Sequence, residues 1–225
     1  NFKGEEKWRV ELGGERKGKH RKASGSNPSP ATDGKYVYVY FKSGQLACVD
    51  FRGKEVWSHN LQDKYGKDTL WWDLGTSPVL TKNHVVVACM HSGPSYVAAF
   101  DKKTGKVVWR VDRNLKAPVE AAQSYTTPTV GTINGKEVIY IVGADHVTAH
   151  KASDGKEIWR VGGLNPKQNG YFRSISSPVL AKNLLIAPYA RGRSLTAVRL
   201  GGKGDVTKSH VVWTKRLGAD VPTPS

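Results

Sequence analysis

Aromatic, basic and amide side chains gather in three long stretches, 62–76, 112–127 and 162–176, and these are the residues whose types could do chemistry. The first carries Tyr65, Trp71, Trp72 and Asp73; the second Arg113, Glu120, Gln123 and Tyr125; the third Gln168, Asn169, Tyr171, Phe172 and Arg173. Shorter stretches add His91 with Ser92, and Arg191 with Arg193. Flat aromatic faces beside guanidinium and amide groups suit sugars, peptides or anionic polymers, through stacking, cation–π contact and directed hydrogen bonds. The candidate ligand- or partner-binding residues are therefore Trp71, Trp72, Asp73, His91, Tyr125, Tyr171, Arg173, Arg191 and Arg193. The competing reading of Trp71 and Trp72 is that they cover the end of a core. Covalent and metal chemistry has less support: the sequence holds no Cys-x-x-Cys, His-Glu-x-x-His, Gly-x-Ser-x-Gly or phosphate-cradling Gly-x-x-x-x-Gly-Lys-Ser motif, and its seven histidines are scattered. No catalytic residue, cofactor or metal ligand is expected. His84, His146, His150 and His210 fall in or beside strands and read as structural, leaving His91 as the histidine placed in a site-facing loop.

Stretches this far apart converge only if the elements between them repeat, and they do. Trp8, Trp57, Trp109, Trp159 and Trp213 recur at separations of 49, 52, 50 and 54 residues. Pro30, Pro78, Pro128, Pro178 and Pro224 keep step with them, each preceded by Ser or Thr. Each unit reads as four short strands, the early ones almost continuously apolar, as in Val138 to Val142, and the last one alternating, as in Glu157 to Val161. The turns have the chemistry of tight hairpins, with Asp33-Gly34, Asn134-Gly135, Thr104-Gly105 and Asp154-Gly155 tolerating positive φ. A four-stranded antiparallel unit with a period near fifty is a propeller blade. The expected fold is all-β: a β-propeller with four four-stranded blades at 28–61, 77–112, 127–161 and 177–217. An outer strand of a preceding blade is expected at 6–12, and the start of a further blade at 222–225.

The recurring tryptophans are structural on this reading. An indole buries roughly 150–250 Å², an upper bound on the order of 4–6 kcal/mol. Cys48 and Cys89 each lie in an apolar strand of a different repeat and read as buried free thiols.

The phrase from Asp101 through Thr104 and Gly105 to Trp109 is echoed by Asp50, Gly53 and Trp57 and by Asp154, Gly155 and Trp159. It resembles the Ala-x-Asp-x-x-Thr-Gly-x-x-x-Trp repeat of PQQ-type propellers. Kelch and WD40 repeats fit less well. The resemblance runs from Glu6 to Ser225 and implies seven or eight blades in a closed ring, so the chain reads as about half of an eight-bladed one. The open ends are then expected to be covered by remaining blades or by another half-propeller. The superfamily includes quinoprotein alcohol dehydrogenases and the propeller lipoprotein of outer-membrane assembly. A dehydrogenase of this kind would need a Trp beneath the quinone, Ca²⁺ held by Glu, Asn and Asp, and an Asp base. The sequence shows no such set, and its two cysteines are not adjacent.

Composition is compatible with this reading: 38% apolar residues with 24 Gly, 11 Pro and 7 Trp in 225 residues. The formal charge of +16 favours anionic partners, and its densest cluster runs from Arg16 through Lys17, Lys19, His20 and Arg21 to Lys22. No stretch is long and apolar enough for a membrane span. Without an initiator Met, and beginning near a strand, the chain reads as a processed or excised segment. The expectation is a non-catalytic scaffold, exported by resemblance, that meets a protein or polysaccharide partner. An anionic polymer comes second, and nucleic acid is disfavoured for want of a recognition helix or RNA-binding signature. The alternative is an enzyme, quinone-dependent or hydrolytic, whose active residues lie partly in missing blades.

Overall fold

The computed structural model describes residues 3–16, 24–218 and 220–224. The first sheet is β1 (Ala31–Thr32), β2 (Tyr36–Tyr40), β3 (Gln45–Asp50) and β4 (Glu55–Asn60), followed by helix α1 (Leu61–Tyr65). The second is β5 (Val79–Leu80), β6 (His84–Cys89), β7 (Tyr96–Asp101) and β8 (Val107–Asp112). The third is β9 (Thr129–Ile133), β10 (Lys136–Gly143), β11 (His146–Lys151) and β12 (Glu157–Val161). The fourth is β13 (Val179–Ala181), β14 (Leu184–Tyr189), β15 (Ser194–Arg199) and β17 (Val211–Lys215), with β16 (Gly204–Asp205) and helix α2 (Thr207–His210) inserted before its last strand. Within each sheet the strands pair antiparallel in chain order, and β16 joins the third sheet as a fifth strand, parallel to β12. The protein is thus all-β, four blades of a partial propeller.

The core lies between blades. One buried cluster joins the first and second sheets through Tyr38, Leu46, Val85, Val87 and Phe100. Another joins the second and third through Val86, Ala88, Ile139 and Ile141, and a third joins the third and fourth through Tyr140, Trp159, Leu185 and Val198. The middle strands are sealed on both faces, which is why they read as apolar runs.

Every blade has a bulge at one place. The third and fourth strands shift register beside the tryptophan, at Cys48/Val49, Ala99/Phe100, Ala149/His150 and Ala197/Val198. The extra residue turns the indole toward the next blade. Trp57 Nε1 then donates to Lys102 O at 2.9 Å and Trp109 Nε1 to Ala152 O at 3.0 Å. Their rings lie on Gly105 and Gly155, where an added Cβ would come within 2.6 and 2.4 Å of the indole; both glycines also have positive φ, 68° and 72°. Glycine is needed twice over, for the turn and for the ring. At the third junction the tie is different: Val206 N donates to Arg160 O at 2.9 Å and Gly162 N to Thr207 Oγ1 at 2.8 Å, both from the inserted segment.

The Ser/Thr-Pro pairs form a chain around the inner edge. The N–H groups of Ser29, Ser77, Thr127 and Ser177 donate to the hydroxyls of Ser77, Thr127, Ser177 and Thr223, at 2.9, 3.1, 2.9 and 3.2 Å. Each donor precedes a proline, which holds it extended just before its inner strand begins. An N–H outside the ladder is satisfied by the next blade.

Residues 6–12 carry no strand, in contrast to the expected outer strand, because no neighbouring strand is there to complete a ladder. Trp8 nevertheless takes the same seat as its counterparts: its Nε1 donates to Phe51 O at 2.8 Å and its ring covers Gly53. Residues 222–224 also form no strand, and residue 225 lies outside the described residues. So does most of the basic cluster, residues 17–22. Cys48 and Cys89 are buried and not joined in a disulfide; burial pushes the Cys48 thiol up to about 12. Among the described residues no helix is long and apolar enough to cross a membrane.

Candidate functional site

The first and last hairpins of every blade project to one side of the array. The loops between the second and third strands, and the segments crossing from blade to blade, share the other side, the funnel face. Adjacent crossing segments are hydrogen-bonded to each other and to the loops. Ser124 N donates to Met90 O at 3.0 Å, Tyr125 N to Ser174 O at 2.8 Å and Ser174 N to Gln123 O at 3.2 Å.

Three buried devices hold this face. Arg113, 2% exposed, reaches from the second blade into the third, where Nε donates to Thr148 Oγ1 at 2.9 Å and Nη1 and Nη2 donate to Gly143 O at 3.2 Å. Its burial pulls the guanidinium down to about 10. Backbone carbonyls serve here in place of a carboxylate. Tyr189 of the fourth blade donates to Oδ1 of Asp145 in the third, and Asn165 Nδ2 donates to Asp145 Oδ2 at 3.2 Å, while burial raises the Asp145 carboxyl. Asn165 also closes its own loop, accepting from Asn169 N at 2.9 Å. The third device is a histidine staple: Thr69 N and Gly93 N both donate to His91 Nδ1 at 3.2 Å, which leaves the ring proton on Nε2 to be donated to Pro94 O at 3.1 Å.

Above these supports sits the rim. Trp71 and Trp72 are 47% and 41% exposed, and their loop is fixed by Trp71 N donating to Gln123 Oε1 at 3.0 Å and Trp72 N donating to Tyr125 Oη at 3.2 Å. Tyr125 Oη in turn donates to Gln123 Oε1 at 2.7 Å. Trp72 Nε1 donates to Glu120 Oε1 at 2.8 Å, and the same carboxylate pairs with Arg173 Nε at 3.5 Å. Arg173 stacks over the Trp72 ring with its guanidinium carbon 5.3 Å from the centroid. Its Nη2 lies 3.6 Å from Asp220 Oδ2, which Arg191 Nε approaches to 3.8 Å. Opposite charges therefore alternate from Glu120 through Arg173 and Asp220 to Arg191.

The structure divides the sequence candidates into two layers. Trp71, Trp72, Tyr171, Arg191 and Arg193 reach solvent, whereas Asp73, His91, Tyr125 and Arg173 are buried in the support beneath them. Tyr171, Phe172, Asn169, Arg191, Arg193 and Asp220 line a recess of about 350 Å³. Ala190 and Arg191 both sit at φ 55° and Gly192 at 77°, three left-handed residues in succession. Such a conformation costs on the order of 1–3 kcal/mol at each non-glycine position, and residues so held concentrate at ligand clamps. Asp220 carries no repeat signature, and the sequence reading missed it. Glu120 was visible as the lone carboxylate of 113–128, with no indication of its pairing. A larger groove of about 860 Å³ lies on the hairpin side, walled by turns around Asn83, Asn134, Ser153 and Gly201.

The family model described as outer membrane protein assembly factor BamB matches residues 2–133 and 75–221. The chain belongs to the BamB family of PQQ-type propeller repeats. By structure it is similar to BamB from Moraxella catarrhalis, at 16% identity and a TM-score of 0.58 over 84% of this chain and 52% of that one. It is similar also to the quinohemoprotein alcohol dehydrogenase of Comamonas testosteroni, at 15% identity and a TM-score of 0.64 over 85% of this chain and 35% of that one. A europium-containing methanol dehydrogenase matches at 12% identity and a TM-score of 0.61, over 84% of this chain and 41% of that one. No curated protein matches by sequence. The chain thus spans about half of the BamB structure and less of the two enzymes, and at these identities the likeness is one of fold.

The described residues of this BamB-family chain do not fit a quinone with its Ca²⁺. A calcium ion takes about 6–8 oxygen ligands, and no group of three or more His, Cys, Asp or Glu that could hold a metal occurs among the described residues. The funnel carboxylates are already engaged, Glu120 by Trp72 and Arg173, and Asp145 by Tyr189 and Asn165.

Proposed function

We propose that this propeller segment is a binding surface and not a catalyst, that its funnel face meets a protein or polysaccharide partner, and that the protein works after export. The observation that carries this reading is the division of the face into two layers. Exposed aromatic and arginine side chains are held from below by buried groups whose hydrogen-bonding capacity is spent on support. A catalytic site needs the reverse, a titratable group within reach of substrate. His91, the histidine nearest to that role, is consumed as a loop staple. Membership of the BamB family supports export and a scaffolding role.

The test is absorption spectroscopy and dye-linked turnover of the full-length protein with added PQQ and Ca²⁺. The expected result is no stoichiometric chromophore and no turnover; both together would sink the reading.

A further inference from the structure

Resting on that reading, we propose that the recess between Tyr171 and Arg191 holds a uronate residue of an acidic polysaccharide. Its volume, about 350 Å³, is at the small end of ligand clefts, which run from roughly 300 to 1,000 Å³. One buried polar atom of its lining has no hydrogen-bond partner: Asp220 Oδ1, an acceptor. That atom is buried, so water does not relieve it cheaply. Arg173 stands behind Asp220, paired with it and with Glu120.

The ligand must therefore bring a donor, and also a negative charge. Arg191 and Arg193 stand exposed at the mouth, against the single carboxylate of Asp220. Inorganic phosphate or a bare carboxylate satisfies the arginines but meets repulsion at Asp220 and brings it little or no donor. A neutral sugar satisfies Asp220 with a hydroxyl and leaves the arginines in water. A uronate does both: a hydroxyl donates to Asp220 Oδ1, and the carboxylate lies between Arg191 and Arg193. The Tyr171 ring, 61% exposed at the edge of the recess, offers a flat face to the sugar C–H groups. The net charge of +16 favours a polyanion as partner.

The experiment is calorimetric titration of the full-length protein with tetragalacturonate, and in parallel with maltotetraose, tetraglutamate and inorganic phosphate. Saturable binding of tetragalacturonate alone is expected. Arg191→Gln combined with Arg193→Gln should weaken it at least tenfold, and Tyr171→Ala several-fold. Asp220→Asn separates recognition from charge. If the site reads a hydroxyl, this variant weakens binding; if it merely attracts anions, removing a negative charge tightens it. Tightening by Asp220→Asn, or equal binding of tetraglutamate or phosphate, would overturn the proposal, as would no binding of tetragalacturonate. Thermal melts of each variant identify any that fails to fold. Should Asp220→Asn fail in this way, tetragalacturonate protection of Arg191 and Arg193 from phenylglyoxal in the wild-type protein decides in its place, and no protection overturns the proposal. These failures leave the binding-surface reading standing, whereas a bound quinone with turnover overturns that reading itself.

Discussion

The hairpin side and the funnel face are built from the same strands and obey opposite rules. On the hairpin side Trp57 on Gly105 and Trp109 on Gly155 repeat the same contact down to the carbonyl that accepts each indole N–H. On the funnel face Arg113, His91, Asn165 and Glu120 each hold their own loop by a different device. A packing problem posed repeatedly by identical geometry has one good answer, so it recurs as a residue pattern. A loop that need only be rigid has many answers, and the exposed side chains it carries are free to differ.

The contrast is sharpest for one substitution made twice. Trp109→Ala, removing a ring 8% exposed, should destabilise the fold by about 4 kcal/mol, and Trp71→Ala, removing one 47% exposed, by under about 1 kcal/mol. Denaturant midpoints of the two variants measure the gap, and equal losses would erase the distinction between the faces.

The contact of Trp109 with the Gly155 turn also has a neighbour that predicts a pH response. His150 lies against the Gly155 turn, with Nδ1 2.9 Å from Gly155 O, and burial lowers its pKa from 6.5 to about 4. The unfolded chain binds this proton at a higher pH than the folded one. Stability is therefore complete above about 6.5 and falls as pH drops toward 4, by up to roughly 3 kcal/mol. His150→Gln should flatten melting temperature against pH across that window; an unchanged slope would remove His150 as its source.

On the funnel face Glu120→Gln leaves Arg173 with Asp220 alone and should cost about 2 kcal/mol, because the group removed is buried and charged. Tyr171 lies at the exposed edge, so Tyr171→Ala should leave the melting temperature nearly unchanged. The inner-edge chain gives a smaller loss than Glu120→Gln. Ser77→Ala deprives Ser29 N–H of its acceptor and should cost about 1 kcal/mol, read from chemical denaturation.

The same contrast explains what could be read from the sequence. The blades were legible because Trp, Gly and Ser/Thr-Pro recur wherever the geometry recurs. The period located the Ser/Thr-Pro pairs without revealing that their hydroxyls link blade to blade. Membership of the funnel loops was legible too, since these stretches break the repeat. Their inner and outer sides were not. His91 and Tyr171 have the same standing in a sequence, and only the amides of Thr69 and Gly93 sink one of them while the turn at Asn169 lifts the other. Asp220 could not be found because its role depends on Arg173 and Arg191, which reach it from two other segments.

Hydrogen–deuterium exchange of the full-length protein with and without tetragalacturonate tests most directly whether binding belongs to the funnel face. The account predicts added protection at 169–173 and 190–193, with the turns at 102–106 and 152–156 unchanged. Protection of those turns, with the funnel loops unaffected, would contradict it.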